Sequence, residues 1–134
     1  MKKYIADTNF ILRYLLADNQ ESYKQTKLIF EEARIGKSQI DIEQNVFTEV
    51  IFVLSSFYKV PRSEIVSILK SLLSYKGIKV DSDIYPIALD LYLENNIHIV
   101  DAIIAVKTLS RDSELLTFDK KLQSVISAKL TSER

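Results

Sequence analysis

Short apolar runs set between helix-length stripes constrain this chain more than any other feature. Tyr4-Ile5-Ala6, Ile40-Asp41-Ile42, Ile78-Lys79-Val80 and Leu115-Leu116-Thr117 are each too brief for a helix and suit strands, the first of them buried. Between them, apolar residues recur at helical spacing. Phe10 to Ala17 predicts a short helix broken at Asp18-Asn19. Thr26, Ile29, Phe30 and Ala33 mark one face of a second helix that stops at Gly36. Phe47, Val50, Ile51, Leu54, Phe57 and Tyr58 form a third stripe closed by Pro61, and Ile65, Ile68, Leu69, Leu72 and Leu73 a fourth. Tyr85, Ala88, Leu89, Tyr92 and Leu93 predict a helix capped by Ser82 or Asp83. Val100 to Leu109 is apolar on nearly every side and predicts a deeply buried helix. A short helix is expected from Lys120, with a polar tail that frays from Ser127.

Strands alternating with helices imply an α/β fold with a mainly parallel sheet, because parallel neighbours need a crossover between them. Such sheets present ligands at the carboxyl ends of their strands. The runs ending at Ala6 and at Thr117 lead directly towards aspartates, Asp7 and Asp119. The 134 residues suit one domain, 1–134, with no linker or repeat.

Composition narrows the chemistry. The chain has no cysteine, which removes disulfides, thiolate metal sites and cysteine nucleophiles. With one histidine, His98, no site in a single chain has two histidine ligands. Gly36 and Gly77 are the two glycines, so glycine-rich phosphate loops are excluded. Basic and acidic residues balance at 18 each; there is no basic coat, and any phosphate contact must be local. No apolar stretch approaches the roughly 20 residues of a membrane span, and the start lacks the apolar region of a signal peptide, so a cytoplasmic protein is expected.

Four acids stand out from those on polar helix faces. Asp7 follows a strand and precedes Thr8-Asn9. Glu49 sits within the most apolar helix, beside Val46, Val50 and Val53, and is expected to be buried. Asp101 opens the apolar helix, and Asp119 closes Leu115-Leu116-Thr117-Phe118. Neither Glu49 nor Asp101 has a Lys or Arg three or four residues away. Clustered carboxylates repel one another, and a divalent cation with a preference for hard oxygen ligands relieves that repulsion. An all-carboxylate set suits Mg²⁺ or Mn²⁺ rather than Zn²⁺. Each acid also has a plainer use. Asp7 and Asp119 serve equally as helix caps, and Asp101 is favourable in a first helical turn. Glu49 has fewer such uses, a salt bridge to a distant arginine being the main one.

The same residues carry a resemblance. Ile5-Ala6-Asp7-Thr8-Asn9, Val46-Phe47-Thr48-Glu49-Val50, Val100-Asp101-Ala102-Ile103-Ile104-Ala105 and Leu116-Thr117-Phe118-Asp119 resemble, in order, the motifs of PIN domains. The small size is similar to the VapC-type toxins of toxin–antitoxin pairs. The resemblance implies a three-layer α/β/α sandwich and an Mg²⁺- or Mn²⁺-dependent ribonuclease of endonuclease type. It further implies a homodimer and a cognate antitoxin partner. It makes Asp7, Glu49, Asp101 and Asp119 the acidic site, with Thr8, Asn9 and Thr117 in support. Two other readings stand beside it. One is a catalytically silent PIN-like module that binds RNA or protein. The other is phosphoryl transfer through an aspartyl phosphate on Asp7, for which Asn9 stands where a second acid is wanted.

Overall fold

The structure, a computed structural model, describes residues 1–81 and 83–132. The chain divides into two compact units, Met1–Asp81 and Ser82–Arg134. The fold class is the expected α/β sandwich type, with a parallel sheet and, among the described residues, seven helices.

The first unit holds the sheet. Strand β1 (Lys2–Ile5) leads into helix α1 (Thr8–Leu16) and α2 (Gln20–Arg34), then β2 (Ser38–Asp41), α3 (Gln44–Ser56), α4 (Arg62–Leu73) and β3 (Ile78–Lys79). The strands run parallel in the order β1-β2-β3, with Ile5 opposite Asp41 and Ile40 opposite Ile78. The first strand begins two residues before the apolar run, at Lys2, because backbone pairing with Ser38 carries it through polar positions. It is not the buried strand expected: Lys3 and Ile5 are exposed and Tyr4 half-buried, as successive strand residues face opposite sides. Phe30 and Ala33 of α2 are fully buried and α2 packs on β2, while α3 packs between α1 and α4 through Phe47, Val50, Ile51 and Leu54.

Two glycines make the return from helix to sheet possible. Gly36 takes a φ of 87° just past α2, a left-handed turn that glycine adopts without penalty. Gly77 donates its N–H to Ala33 O at 2.7 Å, and a Cβ there would lie 2.0 Å from Ser38 O. The end of α1 is pinned by the Tyr14 hydroxyl, 2.6 Å from that of Tyr75, with the Tyr14 ring stacked on Phe30 at 4.2 Å. Burial first, and then the Tyr75 hydroxyl, raise the Tyr14 pKa well above its ordinary value.

The second unit is helical: α5 (Tyr85–Glu94), α6 (Ile99–Ser110) and α7 (Lys120–Ser132), with α5 and α7 each packed on α6. Tyr85, Ala88, Leu89, Ala102, Ile103 and Ala105 are essentially without exposed surface. The dense apolar pattern of Val100 to Leu109 is therefore a packing pattern, although Val100 and Ile104 remain partly exposed. Of the two caps expected for α5, Ser82 lies outside the described residues. Asp83 is not the cap; Ile84 occupies that position and Pro86 sits in the first turn.

Two further local expectations fail. Leu115-Leu116-Thr117 is not a strand, and Leu116 and Phe118 are exposed at 94% and 102%. The polar groups around this segment bond locally to the start of α7. Gln123 Nε2 donates to Thr117 O at 2.7 Å, and the Asp119 N–H donates to Thr117 Oγ1 at 3.0 Å. Such bonds compete with a sheet ladder. The chain also does not fray at Ser127, since α7 continues to Ser132 with Leu122 and Val125 buried. No helix among the described residues is long and apolar enough to cross a membrane.

Candidate active site

In the first unit, Asp7 sits at the carboxyl end of β1, where the sheet rule puts a ligand. The Ala6 N–H donates to Asp41 O at 3.2 Å and fixes this strand end against β2. Asp7 is the N-cap of α1: its Oδ1 accepts the Phe10 N–H at 2.8 Å. The capping alternative is therefore realised. It occupies one carboxylate oxygen, and Oδ2 has no partner among the described residues. Asp7 is exposed, so that oxygen faces solvent. Thr8 and Asn9 form the first turn of α1, with Asn9 exposed.

Glu49 is not buried, contrary to the expectation drawn from its apolar neighbours. The core stripe of α3 is Phe47, Val50, Ile51 and Leu54. A helix turns about 100° per residue, so Glu49 falls on the opposite face with the exposed Asn45, Phe52 and Ser56. Phe52, 62% exposed, disguised that outer face as apolar in the sequence. Glu49 makes no hydrogen bond or ion pair among the described residues, so the distant-arginine alternative is not realised there.

In the second unit, Asp101 lies half-buried in the first turn of α6, a position the helix dipole favours. It too has no hydrogen-bond or ion-pair partner among the described residues. Asp119 precedes α7; its Oδ1 accepts the Leu122 N–H at 3.1 Å, and Thr117 Oγ1 accepts its own N–H. Thr117 thus fixes the backbone that carries the Asp119 carboxylate, and Oδ2 is left unused.

All four acids are hard oxygen donors with at least one oxygen unengaged, which suits Mg²⁺ or Mn²⁺. Asp7 and Glu49 belong to the first unit, Asp101 and Asp119 to the second. Among the described residues, no three His, Asp or Glu side chains are grouped as a metal-ligand set. The sequence pattern did not reveal a hollow of about 270 Å³ beside Asp7, lined by Tyr4, Ile5, Phe10, Ile29 and Ile40. Its walls come from β1, α1, α2 and β2, and no local spacing relates such distant positions. The stacked pair Phe10–Phe30, with ring centroids 6.0 Å apart, helps hold one wall.

A search of curated proteins finds no match to the chain. A family model described as PIN domain matches residues 4–127, a span that runs through both units and includes all four acids. The chain accordingly belongs to the PIN domain family, whose members are generally metal-dependent nucleases.

Proposed function

We propose that the chain is an Mg²⁺- or Mn²⁺-dependent ribonuclease of endonuclease type, the cytoplasmic toxin of a toxin–antitoxin pair. In this reading it works as a homodimer and is silenced by a cognate antitoxin protein. The observation that carries the nuclease reading is the PIN match over residues 4–127, with Asp7 at the carboxyl end of β1 and one oxygen unused by its cap.

Asp7 and Asp101 would be the principal holders of the metal, and Glu49 and Asp119 would complete the site directly or through ordered water. When bound, the cation would supply Lewis acidity, lowering the pKa of water and offsetting charge on the phosphoryl oxygens. The protein aligns the reacting groups. The α1 cap holds one Asp7 oxygen and leaves the other to aim. Thr117 and the α7 cap do the same for Asp119. Thr8 and Asn9 shape the turn behind Asp7.

Incubation with a panel of single-stranded RNAs, in Mg²⁺ or Mn²⁺ and with an EDTA control, tests the proposal. Metal-dependent internal cleavage is expected. Binding without turnover would make the chain a silent PIN-like module instead, and phosphate captured on Asp7 would point to an aspartyl-phosphate enzyme.

A further inference from the structure

Within the first unit, Asp7 caps α1 and Glu49 rides on α3, so no single element fixes the spacing between these two acids. At one end the sheet sets it. Helices α1 and α3 begin just beyond β1 and β2, whose carboxyl ends are paired in parallel through Ile5 and Asp41. At the other end one side chain does. The Arg13 guanidinium donates from Nη1 to Asp18 Oδ1 at 2.8 Å and from Nη2 to the Tyr58 hydroxyl at 2.9 Å. Asp18 lies in the turn after α1, where Ala17 takes a φ of 51° and donates its N–H to Arg13 O at 3.2 Å. That arm holds the guanidinium to its own helix. Tyr58 follows the C-cap of α3; its N–H donates to Val53 O at 3.2 Å, and the Val60 N–H donates to Leu54 O at 2.9 Å. The second arm is therefore a bond to the body of α3.

We propose that Arg13 is a positioning residue: its bond to Tyr58 sets where Glu49 stands relative to Asp7, and so how well the two carboxylates share a cation. The proposal rests on the nuclease reading, and every contact it uses lies inside the first unit. Glu49 comes six residues after the α3 cap, Glu43, so it stands about 9 Å along α3 from the sheet, and a tilt of about 10° moves it by about 1.5 Å. Mg²⁺ demands near-ideal octahedral geometry, and a misplacement of about 1 Å is enough to cost a reaction heavily. The clamp calls for arginine in particular. A planar fork reaches acceptors on two separate segments, whereas the lysine ammonium is a point charge on a flexible stem. The third guanidinium nitrogen, Nε, has no hydrogen-bond partner among the described residues, so bridging these two segments is all that the group does there.

The test is Tyr58→Phe, which removes the acceptor and keeps the ring. The full chain without RNA is titrated with Mn²⁺, and binding is read as loss of the electron paramagnetic resonance signal of the free ion. Tyr58→Phe should raise the Mn²⁺ dissociation constant about tenfold. In cleavage assays it should raise the Mn²⁺ requirement by the same factor and leave the KM for RNA unchanged. Arg13→Lys should behave as Tyr58→Phe does. Tyr14→Phe is the control: it loses a hydroxyl pair near the same end of α1, directed to Tyr75 rather than to α3, and should bind Mn²⁺ as wild type does. Unchanged Mn²⁺ affinity in Tyr58→Phe overturns the proposal, as does an equal loss in Tyr14→Phe, which would be an effect of general stability. A metal-free measurement separates the clamp from the nuclease. The chain has no cysteine, so Asn9→Cys with Phe52→Cys places one spin label on α1 and one on α3. The dipolar coupling between the labels should change when Tyr58→Phe is added, and an unchanged coupling overturns the proposal. A changed coupling in a chain that neither binds Mn²⁺ nor cuts RNA keeps the clamp between the helices and removes the nuclease.

Discussion

The Asp7 carboxylate accepts the Phe10 N–H at 2.8 Å, and this bond gives one side chain two separable duties. Oδ1 ends a helix; Oδ2 is available for chemistry. Asparagine caps a helix about as well as aspartate but cannot serve as an anionic metal ligand. Asp7→Asn is therefore expected to melt close to wild type while losing metal-dependent cleavage. Asp7→Ala should lose cleavage and also about 1 kcal/mol of stability. Paired thermal melts and RNA cleavage assays on the two variants check this, and full cleavage by Asp7→Asn would remove Asp7 from the mechanism.

Glu49 stands on the exposed side of α3 without a partner among the described residues, so its removal should cost the fold almost nothing. Glu49→Gln is expected to stay within about 0.5 kcal/mol of wild type in denaturant unfolding. Its cleavage rate should fall by about a hundredfold or more if the carboxylate serves the reaction. A stable variant with unaltered cleavage would leave Glu49 as an ordinary surface acid.

Gly77 tests the architecture of the first unit. A methyl group there would meet Ser38 O at 2.0 Å and Ala33 O at 2.8 Å, both backbone atoms that cannot yield cheaply. Gly77→Ala is expected to destabilise the protein by about 3 kcal/mol or more, since overpacking against backbone lies at the severe end of such changes. Chemical denaturation measures it; a loss below about 1 kcal/mol would contradict the close approach of β3 to α2 and β2.

The Tyr14–Tyr75 hydroxyl pair predicts an alkaline weakness. The fold raises the Tyr14 pKa from its ordinary 10.0, so the folded state holds that proton more tightly than the unfolded state. The stabilisation is complete below about pH 10 and is lost as pH rises beyond it. Tyr14→Phe should cost about 1 kcal/mol near neutrality and lose stability less steeply above pH 10. Unfolding midpoints measured on both sides of that pH check the sign.

The sequence showed three of the strands to within two residues, because each is an apolar run bounded by turn residues. Long apolar stripes likewise marked the helices. Leu115-Leu116-Thr117 carried the same local signal and formed no strand. A short apolar run does not specify a pairing partner, and the Thr117 and Asp119 bonds to α7 supplied a local alternative. Asp7 and Asp119 were legible as caps because capping is set by the next three residues. Glu49 was misjudged because its apolar neighbours Val46, Val50 and Val53 suggested a buried face, whereas only Val50 of the three belongs to the core stripe of α3. The hollow beside Asp7 was invisible for a different reason: its walls come from four elements, brought together by the parallel register.

The central claim of the proposed function is that Asp7 and Asp101 would be the main ligands of a bound divalent cation. The most direct measurement is the anomalous scattering of crystals soaked in Mn²⁺. The account predicts a manganese peak bonded to both carboxylates, and its loss in Asp7→Asn. Full occupancy at the Mn²⁺ concentration that supports cleavage, with the metal held by other residues and neither aspartate in contact, would contradict it.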